Sequence, residues 1–149
     1  MISFSIWDMV RHLLTGAGWT IVLSVIAFAL GGVMGLIVLF MRISPKAQMR
    51  ALAMTYIEFF QDTPLLMQFF IIFFGLALFG VDISPLAAAT LGLTFFTSAY
   101  LAEIWRGCVE ALPKGQWEAS ACLAMNRYEQ LRHVILPQAL RIAIPPTVG

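Results

Sequence analysis

The sequence predicts an all-helical integral membrane protein that crosses the bilayer several times. Hydrophobic residues occupy 60% of the 149 positions and charged residues only 11%. Soluble domains average about 45 to 50% apolar and about 25% charged residues, so this chain lacks the charges of a solvated surface. Its mean hydropathy is +0.88. The charged residues are also separated by uncharged stretches long enough to cross a bilayer.

The first uncharged stretch, 13–41, contains 29 residues. About 20 helical residues cross the roughly 30 Å hydrocarbon layer, so this stretch is predicted to span the membrane with length to spare for tilt. A signal peptide is the competing interpretation, but its apolar part would be only about 7 to 15 residues. Gly31, Gly32 and Gly35 form a GxxxG pattern that allows close helix packing. Packing within the same subunit is favoured over packing against a partner.

Two further uncharged stretches, 63–81 and 83–102, are separated by a turn-like segment and predict a helical hairpin. With their lead-in and exit residues, the predicted spans are 52–80 and 84–105. A fourth apolar stretch, 134–149, contains Arg141 and two consecutive prolines and is too short for a full crossing. We therefore expect one transmembrane domain over 1–149, with three full spans and a fourth that is truncated at the C-terminus.

Basic residues set the predicted orientation. Seven of the nine lie in the connections 42–50 and 106–133, whereas the connection between the second and third spans carries only an acid. Connections rich in Lys and Arg stay on the cytoplasmic side. The N-terminus is therefore expected outside and the 107–133 loop inside the cell.

Composition and motifs also exclude several function classes. A net charge of +1 provides no field for a nucleic acid. The two cysteines have no CxxC or histidine-rich neighbourhood, so no metal site is expected. The sequence contains no phosphate-binding GK[ST] loop, HExxH or GxSxG. No catalytic residue is predicted, and a membrane-embedded enzyme is the least favoured hypothesis.

A polar segment precedes the second apolar stretch. Thr63 and Pro64 are expected as the N-cap and first residue of a restarting helix. A broken helix within a membrane is tolerated only against protein or a wet cavity, so this segment is the best candidate for a solute path. An elbow at headgroup level is the alternative. The candidate path residues are Glu58, Gln61, Asp62, Thr63, Pro64, Gln68, Ser98 and Glu103. For Glu103, a local i,i+3 pair with Arg106 is the favoured reading.

The cytoplasmic loop contains a predicted short helix. Pro113 and Gly115 mark its start, and Trp117, Ala121 and Ala124 then recur at i, i+4 and i+7, on one face. A thin helix with a protruding Trp117 and an acid is suited to a groove on a cytoplasmic partner. An amphipathic helix lying on lipid is the alternative, but such helices usually carry basic residues on their polar face.

At these positions the sequence resembles a known family. One set of residues is similar to the EAA motif of ATP-binding-cassette (ABC) importer permeases of type I. The set consists of Glu118-Ala119-Ser120, then Ala124 after three residues, Val134 after nine more, and Leu136-Pro137 after one more. Further segments resemble the polar amino acid branch of that family over about 16–149. These segments are 60–68 (FQDTPLLMQ), 98–107 (SAYLAEIWRG), 113–119 (PKGQWEA) and 134–141 (VILPQALR).

The resemblance implies a permease subunit in a bacterial inner membrane. Its short cytoplasmic coupling helix would dock into an ATPase subunit that binds ATP and Mg, so this chain itself would hold no cofactor. The implied partners are the ATPase, a second permease subunit, an extracytoplasmic solute-binding protein and a polar amino acid. The implied coupling residues are Trp117, Glu118, Ala119, Ser120, Ala121, Ala124, Leu136 and Pro137.

The sequence departs from the family pattern at three points. Ala124 replaces the usual glycine, which is tolerable only if the backbone there is not left-handed. Gln61-Asp62 stands where Arg-Gly or Arg-Asn is common. Members also usually have five spans and run some 60 to 80 residues longer. A truncated, non-transporting fragment of such a permease is therefore the alternative function.

Overall fold

The computed structural model describes residues 6–148, and every regular element among them is helical. This confirms the all-helical fold. In chain order the elements are α1 (Ile6–Arg42), α2 (Ala47–Asp62), α3 (Leu65–Leu78), α4 (Pro85–Glu110), α5 (Lys114–Cys122), α6 (Arg127–Glu129), a π-helical segment (Gln130–Ile135) and α7 (Leu136–Val148).

Two of these helices, α1 and α4, are each long and apolar enough to cross a membrane. Helices α2 and α3 together qualify as a third crossing only if the pair counts as one broken span, because they meet at 104°. The predicted span 52–80 is therefore not one helix. Helix α1 starts seven residues before the predicted span 13–41, and α4 runs five residues past the predicted end at 105.

The predicted fourth span is helical through Val148, and Gly149 lies outside the described residues. Pro145 and Pro146 do not interrupt α7, although each lacks the N–H that would bond the preceding turn. The Thr147 hydroxyl takes part in two further hydrogen bonds. It donates to the carbonyl of Ala143 at 2.5 Å and accepts a bond from Trp105 Nε1 at 2.9 Å, which ties the end of α7 to α4.

Helices α1 and α4 run in the same direction and make the most extensive contact in the bundle. Gly31 and Gly35 lie at this contact. A Cβ on Gly31 would stand 2.9 Å from the Thr97 Cβ, and one on Gly35 would stand 3.1 Å from the Ser98 carbonyl oxygen. The glycines let the two backbones approach, which confirms that the GxxxG pattern packs within the same subunit.

The buried residues form two clusters. One joins α1, α2 and α4 through Val38, Ala53, Ile57 and Ala102. The other joins the C-terminal end of α4 to α7 through Val109, Leu112, Ile135 and Ala139, with Trp117 packed against it. The second cluster holds α5 beside the bundle.

Candidate functional site

The elbow between α2 and α3 is held by Gln68, whose side chain is buried. Its Nε2 donates to the carbonyls of Phe60 at 2.9 Å and Thr63 at 2.8 Å. The last carbonyls of a helix have no partner within that helix. Because the chain bends by 104° here, no following helical turn supplies N–H donors to these two carbonyls. One amide from α3 therefore satisfies the end of α2.

The predicted capping at this break was wrong. Thr63 is the C-terminal cap of α2, and Pro64 is the N-cap of α3 rather than its first residue. The Thr63 hydroxyl donates to the Phe59 carbonyl at 2.7 Å and does not accept from an N–H of α3. The hydroxyl thus bonds the end of α2 rather than the start of α3.

The candidate path residues divide into exposed and buried groups. Glu58, Asp62 and Pro64 are exposed, and Gln61 and Thr63 are half-buried, with Gln61 Nε2 3.4 Å from the Ala99 carbonyl oxygen. These five lie together on the elbow. Gln68 and Ser98 are 3% and 0% exposed. Both side chains are buried in this conformation and make hydrogen bonds within the chain.

Sequence reasoning did not single out Tyr56. Its hydroxyl lies 2.6 Å from that of Ser98, which also donates to the Phe95 carbonyl at 2.8 Å. A tyrosine within an apolar helix usually finds a partner for its hydroxyl, and that was the available signal.

Glu103 makes the local pair that the spacing predicted. Arg106 Nε donates to Glu103 Oε1 at 2.8 Å, and the guanidinium also pairs with Glu110 one turn later. Glu103 is therefore tied to its own helix and is separate from the elbow group.

The predicted short cytoplasmic helix is present as α5, but its faces differ from the prediction. Trp117 is half-buried against the α4–α7 cluster, and Arg127 lies 5.6 Å from the centre of its ring. Ser120 is buried and donates to the Trp117 carbonyl at 2.9 Å. The side chains that point away from the bundle belong to Glu118, Ala119, Ala121 and Cys122. Trp117 does not protrude, because the apolar ends of α4 and α7 already cover one side of its ring.

Ala124 is not on the face of α5, since that helix ends at Cys122. Its φ is +56°, so the backbone is left-handed there and the condition for tolerating alanine in place of the usual glycine is not met. The Ala124 N–H bonds the Ala121 carbonyl, and the Met125 N–H bonds the Ser120 carbonyl. These two bonds form a Schellman motif, which needs a left-handed residue at this position and usually takes glycine there.

The chain restarts as a helix directly after this motif. The Asn126 side chain accepts from the Glu129 N–H at 3.0 Å, and the Glu129 carboxylate accepts from the Asn126 N–H at 2.8 Å. This reciprocal capping box is readable in the sequence as Asn-x-x-Glu and marks where α5 had to end. It fixes the direction in which the chain leaves α5.

Leu136 and Pro137, the last two implied coupling residues, follow the π-helical segment. The Leu136 N–H bonds the Leu131 carbonyl five residues back, and this wider turn eases the clash between a proline ring and the preceding turn. Leu136 packs against the α4–α7 cluster, and Pro137 is exposed. Gln138 Nε2 donates to Gln116 Oε1 at 3.1 Å, which connects α7 to α5.

Within residues 6–148, no group of three or more His, Cys, Asp or Glu side chains could hold a metal. The geometry offers a polar elbow and an exposed short helix, which are suited to contacting a solute and a protein.

Comparison with known proteins identifies the family of the chain. Residues 29–148 match the model of the binding-protein-dependent transport system inner membrane component. The chain belongs to this family.

Individual relatives agree with the family match. The chain is 37% identical to the probable amino-acid ABC transporter permease protein YckA of Bacillus subtilis over 135 residues, which are 91% of this chain and 60% of the relative. It is 38% identical to the glutamine transport system permease protein GlnP of Escherichia coli over 144 residues, covering 95% of this chain and 66% of the relative.

A solved structure described as the crystal structure of an amino acid ABC transporter with histidines superposes with a TM-score of 0.87. The sequences are 34% identical, and the match covers 98% of this chain and 70% of that one. The chain thus spans about three fifths to two thirds of the length of the curated relatives described here.

Proposed function

We propose that the chain is a permease subunit of an ATP-driven importer for polar amino acids. In this proposal it docks through α5 onto a separate ATPase subunit and forms part of the solute path at the α2–α3 elbow, beside a second permease subunit. An extracytoplasmic binding protein delivers the solute. The TM-score of 0.87 to an amino acid ABC transporter is the observation that carries the proposal.

The burial pattern of α5 supports its docking role. Its inner face is anchored by Trp117 and Ser120, while Glu118, Ala119 and Cys122 are exposed on the other side. A rigid helix whose outer face has one acid and small side chains can enter a groove closely. Glu118 then offers a charge to the rim of that groove.

The exposed part of the elbow supports a role in the path. Glu58, Gln61 and Asp62 concentrate two acids and an amide where the backbone changes direction by 104°. Polar groups at a broken membrane helix are suited to the charged and hydrogen-bonding groups of an amino acid. In proteoliposomes that contain the ATPase and binding protein, Asp62→Asn should change the half-saturating concentration for uptake of a polar amino acid without releasing the ATPase. An unchanged value for every polar amino acid would favour an interfacial elbow.

The native cysteines provide a test of orientation. Cys122 is exposed on α5, whereas Cys108 is buried. A membrane-impermeant maleimide should label Cys122 in inverted vesicles that lack the ATPase subunit and not in intact cells, and Cys122→Ser should abolish the signal. Labelling in intact cells would place α5 outside and reject the proposed topology.

The same cysteine tests docking. A bound ATPase subunit should protect Cys122 from the maleimide, and Ala119→Leu should remove both the protection and ATPase co-purification, because added volume blocks close approach. Ala17→Leu, the same change at an exposed site on α1, is the matched control. Normal ATPase binding by Ala119→Leu would reject α5 as the docking element. Docking without any ATP-dependent uptake would favour the non-transporting alternative.

A further inference from the structure

A basic pocket of about 480 Å3 lies where the end of α1, the start of α2 and α5 meet. Four cationic side chains line it: Arg42, Arg50, Lys114 and Arg127. Its one lining acid is Glu110, whose carboxylate pairs with Arg106. The pocket therefore carries a large excess of positive charge.

These four cations are not neutralised within the described part of the chain. No carboxylate of residues 6–148 lies within ion-pair distance of any of them. Glu103 lies within electrostatic range of Arg42, but its carboxylate binds Arg106. The Nε atom of Arg42 is buried and has no hydrogen-bond partner among these residues. A buried donor without a partner is costly, so the pocket is suited to an anion.

Two of the four cations are held in position by their neighbours. The Arg50 guanidinium donates to the carbonyls of Ser44 and Pro45 at 3.3 and 3.2 Å, and Arg127 lies over the ring of Trp117. Arg42 and Lys114 remain available to the ligand.

An apolar groove of about 470 Å3 lies next to the basic pocket, and Val109 lines both. The groove runs between the ends of α1 and α4 and the length of α7. Leu36, Phe40, Trp105, Leu140 and Ile144 are among its lining residues. The combined site has a cationic end and a hydrocarbon-lined end.

We propose that this combined site binds one anionic phospholipid, with the phosphate in the basic pocket and an acyl chain in the apolar groove. Arg42 directly follows the uncharged stretch 13–41, which places the pocket at headgroup depth. Basic pockets between membrane helices on the cytoplasmic side are suited to anionic headgroups. An acidic segment of a partner protein would match the pocket but leave the groove unfilled. The proposal goes beyond the transport function and rests only on the topology proposed with it.

Native mass spectrometry of the purified full chain tests the site with dioleoyl phosphatidylglycerol and dioleoyl phosphatidylcholine. The first lipid should bind at least about tenfold more tightly. The double variant Arg42→Gln/Lys114→Gln should lower its affinity by roughly tenfold or more, because each basic residue near a headgroup contributes about a fivefold preference. The charge-matched control is Lys46→Gln/Arg132→Gln, which removes two exposed cations outside the pocket.

Lys114→Gln alone keeps the test valid if the double variant does not fold. Lys114 is exposed at the start of α5, where a cation opposes the helix dipole, so its loss does not weaken the helix. This variant should lower phosphatidylglycerol affinity about fivefold.

Four results would overturn the proposal. The first two are equal affinity for the two lipids and an equal loss of phosphatidylglycerol affinity in the control variant. The third is equally good competition by glycerophosphoglycerol, which lacks acyl chains. The fourth is an unchanged lipid affinity, together with a loss of ATPase binding, in the pocket variants. The last result would assign the cations to the ATPase.

Discussion

The hydroxyl groups of Tyr56 and Ser98 lie 2.6 Å apart and join α2 to α4 beneath the elbow. The Phe95 carbonyl oxygen lies 2.8 Å from the Ser98 hydroxyl and 3.4 Å from that of Tyr56, so the two hydroxyls and this carbonyl form one hydrogen-bond network. The bond is part of a contact that includes the aromatic pair of Tyr56 and Phe60, whose ring centres are 4.8 Å apart. The position of the polar elbow on α4 therefore depends on a residue that lies outside the candidate path set.

Tyr56→Phe and Ser98→Ala should each lower the free energy of unfolding by about 1 kcal/mol, the net contribution of one hydrogen bond. The double variant should lose less than the sum, because both changes remove the same bond. Thermal unfolding in detergent can be followed through exposure of the buried Cys108 thiol in a Cys122→Ser background. Additive losses would mean that the two hydroxyls act independently.

Gln68→Met should destabilise the elbow by about 1 to 3 kcal/mol. The change keeps the approximate volume of the side chain but leaves the carbonyls of Phe60 and Thr63 without their donor. Gln48→Met, at an exposed position of α2, is the matched control and should change stability by less than about 0.5 kcal/mol. The same Cys108 measurement applies, and equal shifts in the two variants would contradict a specific role for Gln68.

Gly31→Ala should loosen the packing of α1 on α4 and cost about 1 to 3 kcal/mol, since the new methyl group meets Thr97 at 2.9 Å. Gly18→Ala, on the same helix, should not lower the stability. No atom lies within 4 Å of a Cβ there, so the higher helix propensity of alanine should make this change neutral or stabilising. Equal unfolding temperatures of the two variants would contradict the packing argument.

Ala124→Gly should stabilise the end of α5 by about 1 kcal/mol, because glycine adopts a φ of +56° without the cost that alanine pays. Ala119→Gly, within α5, should weaken the same helix by about as much. Hydrogen exchange of the α5 amides should slow in the first variant and quicken in the second. Faster exchange in both would show that residue 124 is not left-handed.

Local sequence information was sufficient for much of the fold. Uncharged stretches predicted the long helices, and Thr63-Pro64 predicted the helix break. A proline lacks the backbone donor whatever its tertiary surroundings are. The spacing of Glu103 and Arg106 also predicted their ion pair, because i,i+3 neighbours meet on any helix.

The three-dimensional packing decided which side chains face inward. Trp117 packs against Ile135 and its neighbours, and Ser98 bonds Tyr56, 42 residues away, so their periodicity could not predict their surroundings. Ala124 shows that the backbone conformation, too, could not be predicted from local sequence. Alanine favours a continuing helix, but the capping box at Asn126 and the docking of α7 end α5 early and force residue 124 into a left-handed conformation. Local preferences amount to about 1 kcal/mol per residue, and several tertiary contacts together exceed that value.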